Sequence, residues 1–226
     1  MNRLKKYFLE TYIPNKYNHL LGILILALVL APFAGSLAII YSAVSFLFLV
    51  SILLIIKITT VNKNVFRVVL IMALFLYLVE LAVQYDLIVH IENISQFIVY
   101  FLYALFMFIA IIFLTKGLFA DKKVTGDTIK GGISIYLLLG IFWSFIYHLI
   151  DIYMPLAFMP TSLQAFDFVY LSFTTLTTLG YGDITPVSQG VKMLTSFEAV
   201  TGQMFIGVFI ARLIGLHIAH HLERKS

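Results

Sequence analysis

Apolar residues run almost unbroken through six stretches of the chain, near 18–34, 37–57, 65–84, 96–116, 131–150 and 188–216. Each approaches the roughly 20 residues that a helix needs to cross about 30 Å of hydrocarbon. The pattern predicts six membrane-spanning helices. The first two are parted only by the corner from Pro32 to Ser36, which predicts a tight helical hairpin. Polar positions are as ordered as the apolar ones. With the N-terminus inside, segments 1–16, 57–67, 116–130 and 212–226 are cytoplasmic and hold 14 of the 15 Lys and Arg, Lys192 being the exception. Glu80, Asp86, Glu92, Asp151, Asp167 and Asp183 gather toward the other side. This asymmetry follows the positive-inside rule, and it predicts a multi-pass protein of the plasma or inner membrane with both termini cytoplasmic.

Composition sharpens the class. The 226 residues are 62% hydrophobic and 12% charged, with a mean hydropathy of +1.02. A soluble surface needs roughly 25% charge, so the chain reads as an all-α membrane protein. Cysteine is absent, which excludes disulfides and thiolate metal sites. The net charge of +4 comes from the cytoplasmic segments and is no argument for nucleic acid. No nucleophile, acid–base pair or metal cluster points to an enzyme. The N-terminus lacks a short apolar core followed by a small-residue cleavage site, so it reads as retained. Leu4, Tyr7, Phe8 and Ile13 beside Arg3, Lys5, Lys6 and Lys16 predict an amphipathic helix over 1–17 lying in the membrane interface. A four-helix module over 18–118, a cytoplasmic linker over 119–130 and a last domain over 131–226 follow.

The regular pattern fails between spans five and six. There SLQAFDFVYLSFTTLT is helical in pattern, with Thr161 or Ser162 available as a cap after Pro160. At about 14 residues it is too short to cross, so it enters the membrane and returns. It leads into TTLTTLGYGDITP, residues 174–186. Non-helical backbone at membrane depth is tolerated only where protein buries it or where it lines a water-filled path. Gly180 and Gly182 permit left-handed backbone, so neighbouring carbonyls can turn to one side while Leu179 and Tyr181 pack outward. One strand gives one column of oxygens. Four copies about a fourfold axis give stacked rings that can replace the water around a potassium ion.

Thr178-Leu179-Gly180-Tyr181-Gly182-Asp183 resembles the filter signature of the potassium channel family, with Leu179 where valine is commonest. The resemblance covers roughly 131–218. It implies an outer helix, a re-entrant pore helix, a selectivity-filter loop and an inner helix, assembled as a fourfold homotetramer in membrane lipid. Potassium would sit at Thr178, Leu179, Gly180 and Tyr181, and no cofactor beyond the permeant ion is expected. By the same resemblance Tyr170 braces Asp183, Leu171 replaces a second aromatic, and Gly202 is a gating hinge. Gln203, Ile206, Ile210 and Ile214 share one helical face, which the resemblance makes the cavity lining. Glu198 falls about 140° away from Gln203 on the helix and is expected to face the pore helix, with Thr174 or Thr175 in reach. Thr174 and Thr177 join it as filter support. A pore helix so placed aims its partly negative end at the cavity.

Voltage-sensing relatives carry a ladder of arginines in span four. Residues 97–115 read FIVYFLYALFMFIAIIFLT, without a charge, so steep voltage gating is not expected. Glu80 and Gln84 share a face of span three and can pair. No soluble ligand domain is expected after span six. His217, His220 and His221 sit at its cytoplasmic end, where histidines titrating near pH ~6.5 can make an acid sensor; a metal there lacks a third ligand. The triplet Asn93-Ile94-Ser95 has a glycosylation pattern that is common by chance. A silent channel subunit and a potassium transporter subunit are the alternatives, the second opposed by a short chain that keeps both filter glycines.

Overall fold

The computed structural model describes residues 16–33, 38–59, 63–84, 93–120 and 124–223. The expected interfacial helix therefore lies outside the described residues save for its last two positions. Among the described residues there are seven helices: α1 (Lys16–Leu30), followed by a 3-10 turn at Ala31–Phe33, α2 (Ala38–Thr59), α3 (Lys63–Gln84), α4 (Asn93–Ala120), α5 (Gly126–Tyr153), the short α6 (Ala165–Leu176) and α7 (Gln189–Glu223). Among the described residues four stretches are long and apolar enough to cross a membrane: Lys63–Ala82, Gln96–Ala120, Gly126–Tyr153 and Gln189–Ile218. Gly126–Tyr153 begins five residues before its apolar run and Gln189–Ile218 ends two residues after its own, because helical backbone continues toward the charged segments.

Helices α1 to α4 pack together and α5 closes one side of them, with α1 and α4 both lying along α5. Tyr17, Leu20, Leu24, Ile52, Leu76 and Phe106 are wholly buried in this core. Lipid tails are as apolar as these side chains, so burial alone does not hold helices together in a bilayer; close packing and polar contacts must. Both are present. The Asp127 carboxylate, at the start of α5, accepts from the N–H groups of Tyr17 and Asn18 at 3.1 and 3.2 Å, serving donors that a helix N-terminus leaves without partners. Lys130 reaches the Asn18 side chain at 2.8 Å. At the far end of α7, Arg212 donates to the Phe119 carbonyl at 2.8 Å and lies over the Phe119 ring, 4.5 Å from its centroid.

Small residues on α5 admit aromatic rings. A Cβ on Gly132 would lie 2.1 Å from the Phe209 ring of α7, and one on Gly140 would lie 2.7 Å from the Phe173 ring of α6. These contacts let α6 and α7 approach the α5 backbone. A second cluster, formed by Tyr147, Phe158, Phe168, Leu171 and Val191, surrounds the entry to α6. Two short strands, β1 (Phe158–Met159) and β2 (Thr185–Pro186), pair antiparallel. The N–H of Val187 extends that pairing to the Ala157 carbonyl at 2.8 Å. Segments before α6 and after the 177–183 loop are thereby tied at one level.

One expectation needs correction, and another lies outside the described side chains. Neither Thr161 nor Ser162 caps the short helix, which begins at Ala165 after Gln164. The Asp167 carboxylate accepts from the Gln164 N–H at 2.7 Å, so an acidic side chain inside the first turn serves the free donor instead. The Glu80–Gln84 pair involves a Gln84 side chain outside the described ones. Glu80 instead meets Ser45 of α2, and its Oε1 is buried without a hydrogen-bond partner among the described residues.

Candidate functional site

The site grows from the C-terminal end of α6. Four carbonyls in its last turn lack helical donors, as at any helix end, and the chain doubles back to serve them. The Thr177 N–H donates to the Phe173 carbonyl at 3.1 Å and the Thr178 N–H to Thr175 at 2.9 Å. The N–H groups of Leu179 and Gly180 both reach the Thr174 carbonyl, at 2.8 and 3.1 Å. Leu176 is served from outside, by the Tyr136 hydroxyl of α5 at 3.1 Å. All donors at the head of the loop thus point at the helix.

The acceptors do the opposite. Among the described residues no donor reaches the carbonyls of Thr178, Leu179, Gly180 or Tyr181. Backbone carbonyls left without donors require water or an ion. The backbone has the handedness to align them. Positive φ recurs at every second position, 60° at Thr178, 54° at Gly180 and 83° at Gly182. A chain of constant handedness winds its carbonyls around an axis, whereas alternating hands turn successive carbonyls the same way. Leu179 and Tyr181 are 55% and 70% exposed, so within one chain the loop stands clear of its own core. Thr178 was not foreseen in this role. A β-branched residue at positive φ costs of order 1–3 kcal/mol and persists only where its surroundings dictate it.

Beside the loop, the Tyr170 hydroxyl donates to Asp183 at 2.7 Å, and the Tyr170 and Tyr181 rings stack with centroids 6.4 Å apart. The Tyr170 hydrogen bond holds the Asp183 carboxyl below the usual carboxylate range. A depressed pKa means that the bond contributes above the ordinary value of ~3.9 and is lost only as pH falls through the lower folded value. In Tyr170→Phe the Asp183 midpoint should rise toward the ordinary value. Carbon NMR of the side-chain carboxyl reads both midpoints; identical values in the two proteins would show that the hydroxyl is not the cause.

Glu198 faces α6, but its partners are not Thr174 or Thr175. It is fully buried and is bonded by the Tyr147 hydroxyl of α5 and the Ser172 hydroxyl of α6. Thr174 turns its own hydroxyl to the Leu171 carbonyl at 3.0 Å, as a threonine inside a helix readily does. Thr177 does the same toward Phe173 at 2.6 Å. Gly202 lies directly beneath the end of α6: a Cβ there would meet the Leu176 carbonyl oxygen at 2.4 Å. Close approach alone is therefore a reason for glycine at this position, and α7 runs through it without a break. Gln203, Ile206, Ile210 and Ile214 are all exposed along α7, a mostly apolar face that no other part of the chain covers. His217 is exposed near the last described turns; the side chains of His220 and His221 lie outside the described ones.

Comparison with known proteins agrees in location with this geometry. Residues 133–217 match the family model described as ion channel. A stretch of 51 residues is 45% identical to potassium channel K1 of Plasmodium berghei (strain Anka), covering 23% of this chain and 3% of that protein. The chain thus spans a small part of that relative's length. No solved structure matches.

Proposed function

We propose a function for a chain that carries, over residues 133–217, an ion channel domain of the potassium channel family: four copies form a potassium-selective pore. The observation that carries the reading is the row of carbonyls at Thr178, Leu179, Gly180 and Tyr181 without donors, on backbone of alternating hand. Four such rows about one axis supply rings of oxygens for a dehydrated potassium ion. Potassium is also what the name of the matched relative specifies. The uncovered α7 face with Gln203, Ile206, Ile210 and Ile214 is suited to line the cavity below the rings. Helix α2 has 22 residues, about 33 Å at the helical rise, and Leu20–Phe33 is an unbroken apolar run after the polar start of α1. With the four long helices they make six spans, and α6 is the re-entrant pore helix.

Opening is not steeply voltage-driven in this reading, because residues 97–115 of α4 carry no charge and steep dependence needs several gating charges per subunit. The test is reconstitution of purified protein into liposomes and planar bilayers. Potassium should pass well over sodium, and open probability should change little across physiological voltages. Comparable sodium flux sinks the filter reading. A tetramer without flux would identify a silent subunit, and a steep conductance–voltage curve would return a sensor to α1–α4.

A further inference from the structure

A proton count behind the pore helix leads to a statement about Glu198. Three polar contacts meet there. The Ser172 hydroxyl oxygen lies 2.7 Å from the Gly140 carbonyl oxygen of α5. The same hydroxyl oxygen touches Glu198 Oε1, and the Tyr147 hydroxyl touches Glu198 Oε2. Ser172, Tyr147 and Glu198 are all buried.

A serine hydroxyl has one hydrogen, and a backbone carbonyl can only accept. If Glu198 were ionised, Ser172 would give its hydrogen either to the carboxylate or to Gly140. In the first case two lone-pair oxygens would face each other at 2.7 Å with nothing between them. In the second case the serine and carboxylate oxygens would do so. A proton on Oε2 shared with Tyr147 leaves the same deficit at Ser172. A proton on Oε1 satisfies every contact: Tyr147 donates to Oε2, Oε1–H donates to Ser172, and Ser172 donates to Gly140. An isolated carboxylate at membrane depth is also costly, and among the described residues the hydrogen-bonding partners of Glu198 are two neutral hydroxyls.

We propose that Glu198 is held as the neutral carboxylic acid, and that its proton completes a hydrogen-bonded chain from α7 through Ser172 to α5 that positions the pore helix. The chain passes through Ser172, two residues before Thr174, whose carbonyl receives the N–H groups of Leu179 and Gly180. Glu198 is thus a positioning residue for the filter and touches no ion itself. The positioning role rests on the channel reading; the protonation state does not. The titratable groups facing Glu198 from α5 are Tyr147 and Tyr136, and α6 offers it Ser172.

The test uses full-length protein in lipid at neutral pH. Infrared difference spectra of wild type minus Glu198→Gln should show the carbonyl stretch of a protonated carboxyl. That band should shift in Ser172→Ala, where its acceptor is gone. Carboxylate bands in its place, or a band unmoved by Ser172→Ala, overturn the assignment. In the same vesicles Glu198→Gln should conduct potassium within about twofold of wild type, because its amide donates to Ser172 and its carbonyl accepts from Tyr147. Glu198→Ala and Ser172→Ala, assembled as tetramers, should lose about tenfold or more by leaving buried polar groups unpaired. Wild-type flux in both alanine variants overturns the positioning role. Absence of flux in the wild type counts against the channel reading, and the infrared result still decides the proton.

Discussion

Gly180→Ala should abolish selective potassium flux, and Gly182→Ala should do nearly the same. Among the described residues, the glycine's chain neighbours aside, no atom lies within 4 Å of a Cβ built at either position, so the defect is not a clash with the rest of the described chain. It is conformational. An L-residue at φ of 54° or 83° costs about 1–2 kcal/mol, which in the proposed tetramer, with four copies to a ring, brings the penalty to roughly 4–8 kcal/mol per ring. An alanine at 180 relaxes that cost by leaving the left-handed region, and the carbonyls on either side then swing off the axis. Expected is a fall in potassium flux of ~100-fold or more, or persistent flux with potassium and sodium passing alike. Liposome flux with each cation measures both. Selective conduction near the wild-type level in Gly180→Ala would show that these carbonyls are not the ion's ligands.

Gly202→Ala should destabilise the protein and disturb the filter. The added methyl carbon is placed 2.4 Å from the Leu176 carbonyl oxygen and 3.0 Å from its Cδ1. The oxygen belongs to the last turn of α6 and is already bonded by Tyr136, so it cannot yield without moving the turn that carries Thr177 and Thr178. Overpacking of this kind costs about 1–3 kcal/mol, which for a chain of this size lowers the melting midpoint by several degrees. A hinge glycine makes a different prediction: fewer openings, with the ion preference of open channels intact. Single-channel recording in mixed potassium and sodium separates them. Unchanged ion preference together with an unchanged melting midpoint rules out the packing account.

The helical class and the positions of the long helices were legible because apolar runs and charges follow the bilayer, which acts on every residue at once, whereas their ends run several residues past the apolar stretches. The non-helical loop at 178–183 was legible for a related reason: glycine at 180 and 182 has few other uses at membrane depth, and both take positive φ. Thr178 shows where that logic stops. Composition marks a left-handed position only when it holds glycine, and here a threonine is forced into one by the hydrogen bonds that fold the loop under α6. Glu198 shows a second limit. Helical periodicity gives the direction of its side chain, toward α6, but which hydroxyl meets it depends on the rotation of α6 about its own axis. Gly140 sets that rotation by admitting Phe173. Such a contact between residues 33 apart leaves no local trace. The start of α6 failed for a smaller reason, since Asp167 can serve the free donor from inside the helix as well as Thr161 or Ser162 can from before it.

The Arg212 contact gives the far end of α7 a mooring. Through the Phe119 carbonyl and ring, the Arg212 turn of α7 is fastened to the end of α4, while Asp127, just beyond, is fastened to the start of α1. A tilt of α7 must drag α4 sideways or part the guanidinium from its carbonyl, and α4 lies bedded among three other helices in lipid. The four helices before α5 are thus coupled to α7 through one guanidinium, and a sideways displacement of either side would strain that contact.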